Sequence, residues 1–513
     1  MQARFRQSNG LRIPTANGSW QRRRNPDEMA PLSRHFVASL VLLAVLAAYQ
    51  LSSSSVIAIN GGYGFDGALY GSIAQNLSWD AVYGRVDSYR AQRILPSLIV
   101  GTALNALERH EVSDTIAGFR LLTVALLALS ALGWYRICLS MRVTAGTFWI
   151  GFLLLFVNFF VMNNAFYYPV LTDVAAFALG TWMIHAYLTN SAWGLVIVGI
   201  AGAFVWPICA PMSAILILFP LRCEQRGSQS RGGTRLSLAL AIATAGLVVA
   251  AGVAVRFVLG RTTVGYGPVT ALDDALLPAS AVIHLALLAT ALFFLIKQVT
   301  IAQVFKSLGR AGVLRWVIIA AILLLPKIVI FLVASDAKST LPLTTFAAML
   351  AFLPLVRPAI TPVSHFAYFG FIIPLLAINW RRVGNMAGSG GIGSVALVAL
   401  SLLFALTPES RQSALTLPAL VTVLCRVIER DRWTSAQVAI LGILQLLLAR
   451  FWVDQNALFN PARAGIDVLP TYFSSQGPYM PTQPYGVFLL LLISATVLCV
   501  LQRRSAGRGR PAE

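Results

Sequence analysis

The chain has 513 residues, of which 57% are hydrophobic and only 11% are charged. A soluble domain carries about 25% charged residues, so this composition excludes a water-soluble globular protein and predicts many membrane spans. The net charge of +20 is spread over short arginine clusters between apolar runs, as the positive-inside rule requires. The basic charge therefore reflects topology, and no nucleic-acid partner is expected.

The apolar runs predict an all-α, polytopic transmembrane bundle of about 12–14 spans. Residues 1–35 are expected to form a basic cytoplasmic tail, residues 36–502 the transmembrane domain and residues 503–513 a second basic cytoplasmic tail. The spans are predicted near residues 36–58, 115–138, 147–162, 170–188, 193–206, 208–221, 236–259, 279–299, 316–334, 364–380, 392–406, 415–428, 434–452 and 486–502.

Two shorter apolar segments, 94–107 and 341–356, are assigned to the membrane interface on the outer side, because counting either as a span would reverse the topology after it. With this assignment, most lysines and arginines fall on the cytoplasmic side and most acids on the outer side. The outer face then carries a long first loop, 59–114, with short interfacial helices, and a last loop, 453–485. This pattern predicts a multi-pass plasma-membrane protein.

Asp66 lies in the stretch "GFDG", directly after the first span, and it has two interpretations. An Asp between glycines often forms a turn or caps the next helix, here "ALYGSIAQNL". A carboxylate beside apolar surface is also poorly solvated in its charged form, which would make it a better general base.

Asp173 ends the stretch "YYPVLTD" at the predicted outer start of the fourth span. It could belong to a helix N-cap, or it could converge with Asp66 on one cavity, because acids at membrane depth need a partner or a water-filled cleft. Two further acids, Asp273 and Asp274, are expected to be a solvated pair in an outer loop.

Several basic side chains oppose the charge trend by lying on the outer side, where they could bind a phosphate through charge-assisted hydrogen bonds. The alternative for each one is pairing with a lipid headgroup or with a nearby acid. The candidates are Arg90 and Arg93 in "DSYRAQRILP", Arg357 and His365 on either side of "PAITPVS", and Arg411 beside Glu409 in "PESRQ".

The scattered cysteines contain no C-x-x-C pair, and the chain has no P-loop, H-E-x-x-H or G-x-S-x-G motif. The sequence therefore predicts no disulfide framework, no metal site and no cofactor.

These features together resemble the GT-C membrane glycosyltransferases, and most closely a bacterial subgroup of cell-surface glycopolymer, mannosyltransferase-like proteins. The departures from the subgroup pattern are Phe65 in place of Tyr and Ala68 in place of Gln. The matching stretches are "GFDGALY" (64–70), "YRAQRILP" (89–96), "YPVLTD" (168–173), "SHFAYFG" (364–370) and "PESRQ" (408–412).

The resemblance implies an inverting transfer of a sugar from a polyprenyl-phosphate carrier to a saccharide, lipid or protein acceptor. Asp66 would be the general base, and the reaction would occur at the outer face of a bacterial inner membrane with both termini in the cytoplasm. The implied substrate-binding residues are Arg90, Arg93, Asp173, Arg357, His365, Glu409 and Arg411.

Other functions remain open from the sequence alone. A transporter or flippase of lipid-linked saccharide would show symmetric halves and ionisable residues at the bilayer midplane, whereas this chain concentrates its polar residues on one face. A polysaccharide polymerase or ligase would share the lipid-linked substrate without the early-loop Asp. A non-catalytic protein of surface-polysaccharide assembly is a further alternative.

Overall fold

The structure is a computed structural model that describes residues 32–84, 86–221, 233–258, 263–264, 267–268, 270–335, 343–407, 409–431, 433–456, 480 and 482–508. The predicted tails and most of the predicted last loop lie outside these residues. In the described part the regular structure is helical, apart from one antiparallel pair of two-residue strands, β1 (Thr263–Val264) and β2 (Gly267–Pro268).

The first half of the described chain contains eleven α-helices, four of them short and within the first loop. They are α1 (Leu32–Ser53), α2 (Gly67–Gln75), α3 (Trp79–Val82), α4 (Ser88–Ala91), α5 (Leu95–Ala106), α6 (Val112–Met141), α7 (Ala145–Phe156), α8 (Ala165–Tyr167), α9 (Asp173–Leu188), α10 (Ala192–Gly202) and α11 (Cys209–Leu218).

The second half contains eleven more. They are α12 (Thr234–Phe257), α13 (Ala271–Ile296), α14 (Ile301–Gly309), α15 (Val313–Val333), α16 (Leu343–Phe352), α17 (Ile360–Phe369), α18 (Ile372–Ser389), α19 (Ile392–Leu406), α20 (Leu417–Ile428), α21 (Ser435–Ala449) and α22 (Thr482–Arg508).

By length and composition, six of the described helices are long and apolar enough to cross a membrane, namely α1, α6, α12, α13, α15 and α22. Two further pairs of consecutive helices are bent at a short break between them. If each pair counts as one span, the number of candidate spans rises to eight. The prediction of an all-helical, multi-pass membrane protein is therefore confirmed. The larger number of about 12–14 spans depends on helices shorter than the ~20 residues of a straight span and stays a prediction.

Each of the predicted spans overlaps a helix, but two of them are bent where the sequence predicted a single straight segment. The segment predicted at 147–162 turns by 52° between α7 and the helical stretch Phe160–Tyr167, and the one at 364–380 turns by 118° between α17 and α18. The second bend is at Gly370, which has a φ of +71°, a backbone conformation that glycine adopts without strain.

Gln445 on α21 fills the bend at Gly370 and bonds the backbone on both sides of it. Its side-chain oxygen accepts a hydrogen bond from the Phe371 N–H at 2.9 Å, and its side-chain nitrogen donates to the Phe369 carbonyl at 2.8 Å. A break in a membrane helix exposes backbone groups that must be satisfied inside the protein. Gln445 therefore supplies the partners that make this bend possible in an apolar bundle.

The first loop packs against the ends of several helices, which we call the first-loop end of the bundle. Backbone hydrogen bonds hold it there, among them those from Gly84 to the Val333 carbonyl (2.9 Å), from Ser335 to the Val86 carbonyl (2.9 Å) and from Leu95 to the Phe204 carbonyl (3.0 Å). Segments that are far apart in sequence are thereby gathered at one end, and these include most of the candidate site residues.

Candidate functional site

Asp66 directly precedes α2 but does not cap it, because its side chain makes no hydrogen bond to the helix N-terminus. The turn itself is present, since Gly64 has a φ of +70°. The carboxylate is 49% exposed, and its Oδ2 lies 3.5 Å from Nη2 of Arg411. The backbone around Asp66 therefore forms the predicted turn, but the Asp66 carboxylate does not cap α2.

Tyr168 connects the "GFDG" turn to the "YYPVLTD" stretch. Its hydroxyl accepts a hydrogen bond from the Gly67 N–H at 3.0 Å. Its ring lies so close to Gly64 that a Cβ at that position would be 2.3 Å from the ring carbon Cζ. The first residue of α2 and the segment leading into α9 are thus held against each other, and this contact fixes where Asp66 stands. Sequence reasoning did not single out Tyr168.

Arg411 lies between two carboxylates. Its Nε is 2.5 Å from Oε1 of Glu409, a shorter contact than the 3.5 Å to Asp66. The second oxygen of Glu409 accepts a hydrogen bond from Gln412 at 3.1 Å. The short turn Ser410–Ser413 therefore presents a guanidinium that Glu409 holds tightly and that reaches Asp66 more loosely.

Asp173 is the first residue of α9 and is only 2% exposed. Its Oδ2 has no hydrogen-bond partner within the described residues. Four charged side chains act on this carboxylate through space, with Arg411 and Arg93 attracting it and Glu409 and Asp66 repelling it. The convergence of Asp66 and Asp173 on one cavity stays a prediction, but both carboxylates belong to one set of interacting charges. We refer to it as the Asp66 cluster, made up of Asp66, Arg93, Asp173, Glu409 and Arg411.

Arg93 is 8% exposed and lies between two aromatic rings. The carbon of its guanidinium is 4.5 Å from the Tyr89 ring centroid and 4.7 Å from that of Trp206. Burial raises the pKa of Tyr89 above its usual value, which keeps the phenol neutral as a cation–π partner. The Nε of Arg93 has no hydrogen-bond partner, and no carboxylate of the described chain pairs with it. A buried guanidinium with no directly bonded carboxylate can donate charge-assisted hydrogen bonds to an anion.

Arg90, three residues earlier, has a partner of its own. Its Nη1 lies 2.9 Å from Oδ2 of Asp87, and its backbone N–H donates to the other oxygen of that carboxylate at 3.0 Å. Asp87 is the N-cap of α4. Arg90 therefore helps to order the helix that carries Arg93, and it lies close enough to act electrostatically on Tyr70 of α2.

Arg357 belongs to a different group of residues. Its Nε is 2.7 Å from Oδ1 of Asp273, its Nη1 donates to the Met480 carbonyl at 2.5 Å, and its guanidinium lies over the Tyr485 ring. Within the described chain, none of these partners belongs to the Asp66 cluster. The structure thus gives Arg357 a packing role between α13 and α22 and does not bring it together with Arg411.

The expectation that Asp273 and Asp274 form a solvated pair is wrong. Asp273 is 4% exposed and is bonded to Arg357, while Asp274 is 44% exposed and pairs with Arg256 at 2.9 Å. Asp273 also forms a reciprocal capping box with Thr270 at the start of α13. The two side chains differ because consecutive helix residues point about 100° apart, one toward the bundle and one away from it.

His365 is buried in α17 with both ring nitrogens in use. Its Nε2 lies 2.9 Å from the Ala405 carbonyl, and its Nδ1 lies 3.0 Å from the Ser410 hydroxyl. Because a carbonyl can only accept, Nε2 carries the proton and Nδ1 accepts the Ser410 hydrogen. His365 therefore anchors the turn that carries Arg411, and it has no free nitrogen for a phosphate in this arrangement.

The two departures from the subgroup pattern are placed differently. Phe65 is 42% exposed beside Asp66, whereas Ala68 packs in a small apolar cluster with Tyr63 and Tyr70. Phe65 is therefore positioned to meet whatever approaches Asp66, while Ala68 faces the interior. In the described part of the chain, no three His, Cys, Asp or Glu side chains are grouped as a metal site.

The chain matches no protein-family model, no curated protein sequence and no solved structure. A functional assignment therefore depends on the geometry and chemistry of the Asp66 cluster.

Proposed function

We propose that this protein is an integral-membrane glycosyltransferase of GT-C type. It would transfer a sugar, with inversion, from a polyprenyl-phosphate carrier to an acceptor hydroxyl at the outer face of the membrane. The observation that carries the proposal is the Asp66 cluster. It combines a half-exposed carboxylate, a guanidinium 3.5 Å from it and a buried, unpaired guanidinium at one end of an apolar helical bundle.

Asp66 is the general base in this mechanism. Its side chain is half exposed, is not used for helix capping, and has only a long contact with Arg411, so one oxygen is available to accept the acceptor's proton. The deprotonating hydroxyl forms a bond to the anomeric carbon while the bond from that carbon to the phosphate oxygen breaks. The electron pair leaves with the lipid phosphate, and a single displacement inverts the configuration.

The leaving phosphate gains negative charge as that bond breaks, so groups that stabilise it act mainly in the transition state. Arg93 and Arg411 are the two guanidinium groups of the cluster and can form charge-assisted hydrogen bonds to phosphate oxygens. Glu409 and His365 would act through Arg411 by fixing its position. Asp173, buried at the start of α9, would partly offset the positive charge of Arg93 and Arg411.

A transporter or flippase of lipid-linked saccharide is the second candidate, because the 118° bend between α17 and α18 is the kind of helix break that such proteins use. Against it, Gln445 fills the bend and bonds to the backbone on both sides. The interacting charges also gather at one end of the bundle.

The test uses the full-length protein in nanodiscs with a panel of polyprenyl-phosphate sugars labelled in the sugar. Asp66→Asn is compared with Asp80→Asn, which alters an exposed acid of the same loop. We expect release of label to an acceptor in the wild type and a loss of about 10²- to 10⁴-fold in Asp66→Asn, with Asp80→Asn unchanged. Equal transfer by Asp66→Asn at matched protein level would refute the proposal. Movement of the intact lipid-linked sugar between leaflets without transfer would favour the transporter.

A further inference from the structure

The short helix α14 has an apolar face that the rest of the described chain leaves partly uncovered. Its hydrophobic side chains recur at the three- and four-residue spacing that places them on one side of a helix. Two of them, Ile301 and Phe305, are 71% and 68% exposed. Gln303 and Lys306 point to the other side. α14 is therefore amphipathic, and its apolar face consists of Ile301, Val304, Phe305 and Leu308.

The position of α14 is set by two helices that are long and apolar enough to cross a membrane. Residues 297–300 connect it to the end of α13, and residues 310–312 connect it to the start of α15. The start of α15 is exposed hydrocarbon at Val313 and Leu314, followed by the exposed ring of Trp316, a residue type that is enriched at membrane interfaces. A helix tied this closely to the ends of two candidate spans lies at the membrane surface.

α14 is at the end of the bundle opposite the first loop. The other end of α15 contacts that loop, because the Val333 carbonyl accepts a hydrogen bond from Gly84 and the Ser335 N–H donates to the Val86 carbonyl, both at 2.9 Å. α15 has 21 residues, which at about 1.5 Å per residue make a helix of roughly 30 Å, similar to the thickness of the hydrocarbon core. α14 is thus remote from the Asp66 cluster. The predicted topology puts it on the cytoplasmic side.

The charges around α14 are all positive. Between residues 275 and 335 the sequence contains no Asp or Glu, and no carboxylate of the described chain forms an ion pair with a basic residue of this segment. Cationic side chains beside an exposed apolar face complement the anionic headgroups of a bilayer. The basic residues on and next to α14 are Lys297, Lys306, Arg310 and Arg315.

We propose that α14 is an interfacial helix that binds the anionic lipids of the leaflet opposite the first loop. Ile301 and Phe305 enter the boundary between headgroups and acyl chains, while Lys306 and Arg310 attract the lipid phosphates. A leaflet fits this surface better than a protein partner does, because the exposed start of α15 a few residues further on needs the same hydrocarbon environment. The inference goes beyond the proposed function and does not depend on it.

Two contributions to this binding can be separated. Burial of the apolar face does not depend on lipid charge, whereas the attraction of the basic side chains does. That attraction is screened beyond the Debye length, which is about 10 Å at 0.1 M salt and about 3 Å at 1 M. A helix held by a surface also opens less often, so its backbone amides exchange hydrogen more slowly. Amide exchange in α14 therefore measures the interaction in the intact protein.

The first test measures amide hydrogen exchange of the full-length protein in two kinds of nanodisc, one of phosphatidylcholine and one of equal parts phosphatidylcholine and phosphatidylglycerol. We expect α14 to exchange at least about 10-fold more slowly in the anionic bilayer, and we expect this difference to disappear at about 1 M salt. The control is α2, which also has nine residues but carries no charged side chain. Its exchange should be the same in both bilayers.

The second test changes the charges and the apolar face separately. Lys306→Gln with Arg310→Gln should remove most of the slowing by anionic lipid, whereas Lys306→Arg with Arg310→Lys keeps both charges and should retain it. Phe305→Gln should speed exchange of α14 in both bilayers, although Gln is the better helix former. Ala302→Gln adds the same side chain outside the apolar face and should have little effect. Exchange of α15 in the same samples shows whether each variant is folded.

Three results would overturn the inference. One is equal exchange of α14 in the neutral and the anionic bilayer at low salt. Another is an undiminished difference between the bilayers in the variant that lacks both charges. The third is exchange of α14 as fast as that of an unstructured peptide in both bilayers, which would leave its apolar face for a protein partner. Loss of sugar transfer by Asp66→Asn has no bearing on these outcomes, because exchange of α14 requires no reaction.

Discussion

Arg411 and Asp66 are separated by 345 positions in the sequence, yet the guanidinium Nη2 of one lies 3.5 Å from the carboxylate Oδ2 of the other. The same guanidinium is held by Glu409 at 2.5 Å. Arg411 is therefore positioned mainly by its near neighbour, and Asp66 keeps an oxygen that can accept a proton. The loop after α1 and the turn before α20 thus form one site, and the following predictions depend on that juxtaposition.

Replacing Gly64 by Ala should damage the site more than the same change at Gly84. Both glycines have a positive φ, +70° and +67°, so alanine brings a comparable backbone strain of about 1–3 kcal/mol at either position. A Cβ on Gly64 would be 2.3 Å from the Tyr168 ring, while a Cβ on Gly84 would meet nothing within 4 Å. We expect Gly64→Ala to lower the melting temperature further in detergent and to reduce sugar transfer. Equal melting temperatures for the two variants would contradict the close packing of Tyr168 on this turn.

His365→Ala should act through protein stability and the position of Arg411. The substitution leaves the Ala405 carbonyl without the His365 donor and removes one contact of the Ser410 hydroxyl, which keeps the Ser364 hydroxyl at 3.2 Å. An unsatisfied buried carbonyl costs about 1–3 kcal/mol. We expect a lower melting temperature and a lower kcat with little change in KM for the lipid donor. His110→Ala, at an exposed position of the first loop, is the control. An unchanged melting temperature together with a raised KM would instead make His365 a direct phosphate ligand.

The two neighbouring ion pairs of α13 should differ in their contribution to stability. Arg357→Gln leaves the buried carboxylate of Asp273 without its counter-ion, which typically costs about 3–5 kcal/mol. Arg256→Gln removes a partner from the more exposed Asp274 and should cost about 0–1 kcal/mol. Unfolding in detergent, followed by tryptophan fluorescence, measures both. Asp273→Asn in the Arg357→Gln background should recover much of the loss, and an absence of recovery would show that the charge of Asp273 is not its cause.

The helices were predictable from the sequence because each predicted span is an apolar run, and a run of that length has few alternatives in a membrane. The bends were not predictable. The residue that satisfies the bend at Gly370 is Gln445, which lies 75 positions later on α21, so no window around residues 364–380 contains the reason for it. The short helices of the first loop were predicted as a class, from the glycine-rich and amphipathic stretches between 59 and 114.

The candidate site was predictable in part, for a related reason. Topology alone placed Asp66, Asp173 and Arg411 on one side of the membrane, and the structure brings their charges together. Topology could not separate them from Arg357, which the predicted topology puts on the same side but which pairs with Asp273. Nor could it reveal that both nitrogens of His365 are already bonded. Such differences arise from side-chain partners that are distant in sequence, and no local pattern contains them.

The central claim is that Asp66 and Arg411 act as one unit in sugar transfer, and a double-mutant cycle tests it most directly. Transfer rates would be measured for Asp66→Asn, Arg411→Gln, the double variant and the wild type, at matched protein level in nanodiscs. We predict that the double variant is about as slow as the slower single variant, because either change disables the same site. If the two losses simply multiply, or if Asp66→Asn transfers sugar at the wild-type rate, the two residues do not form the active site.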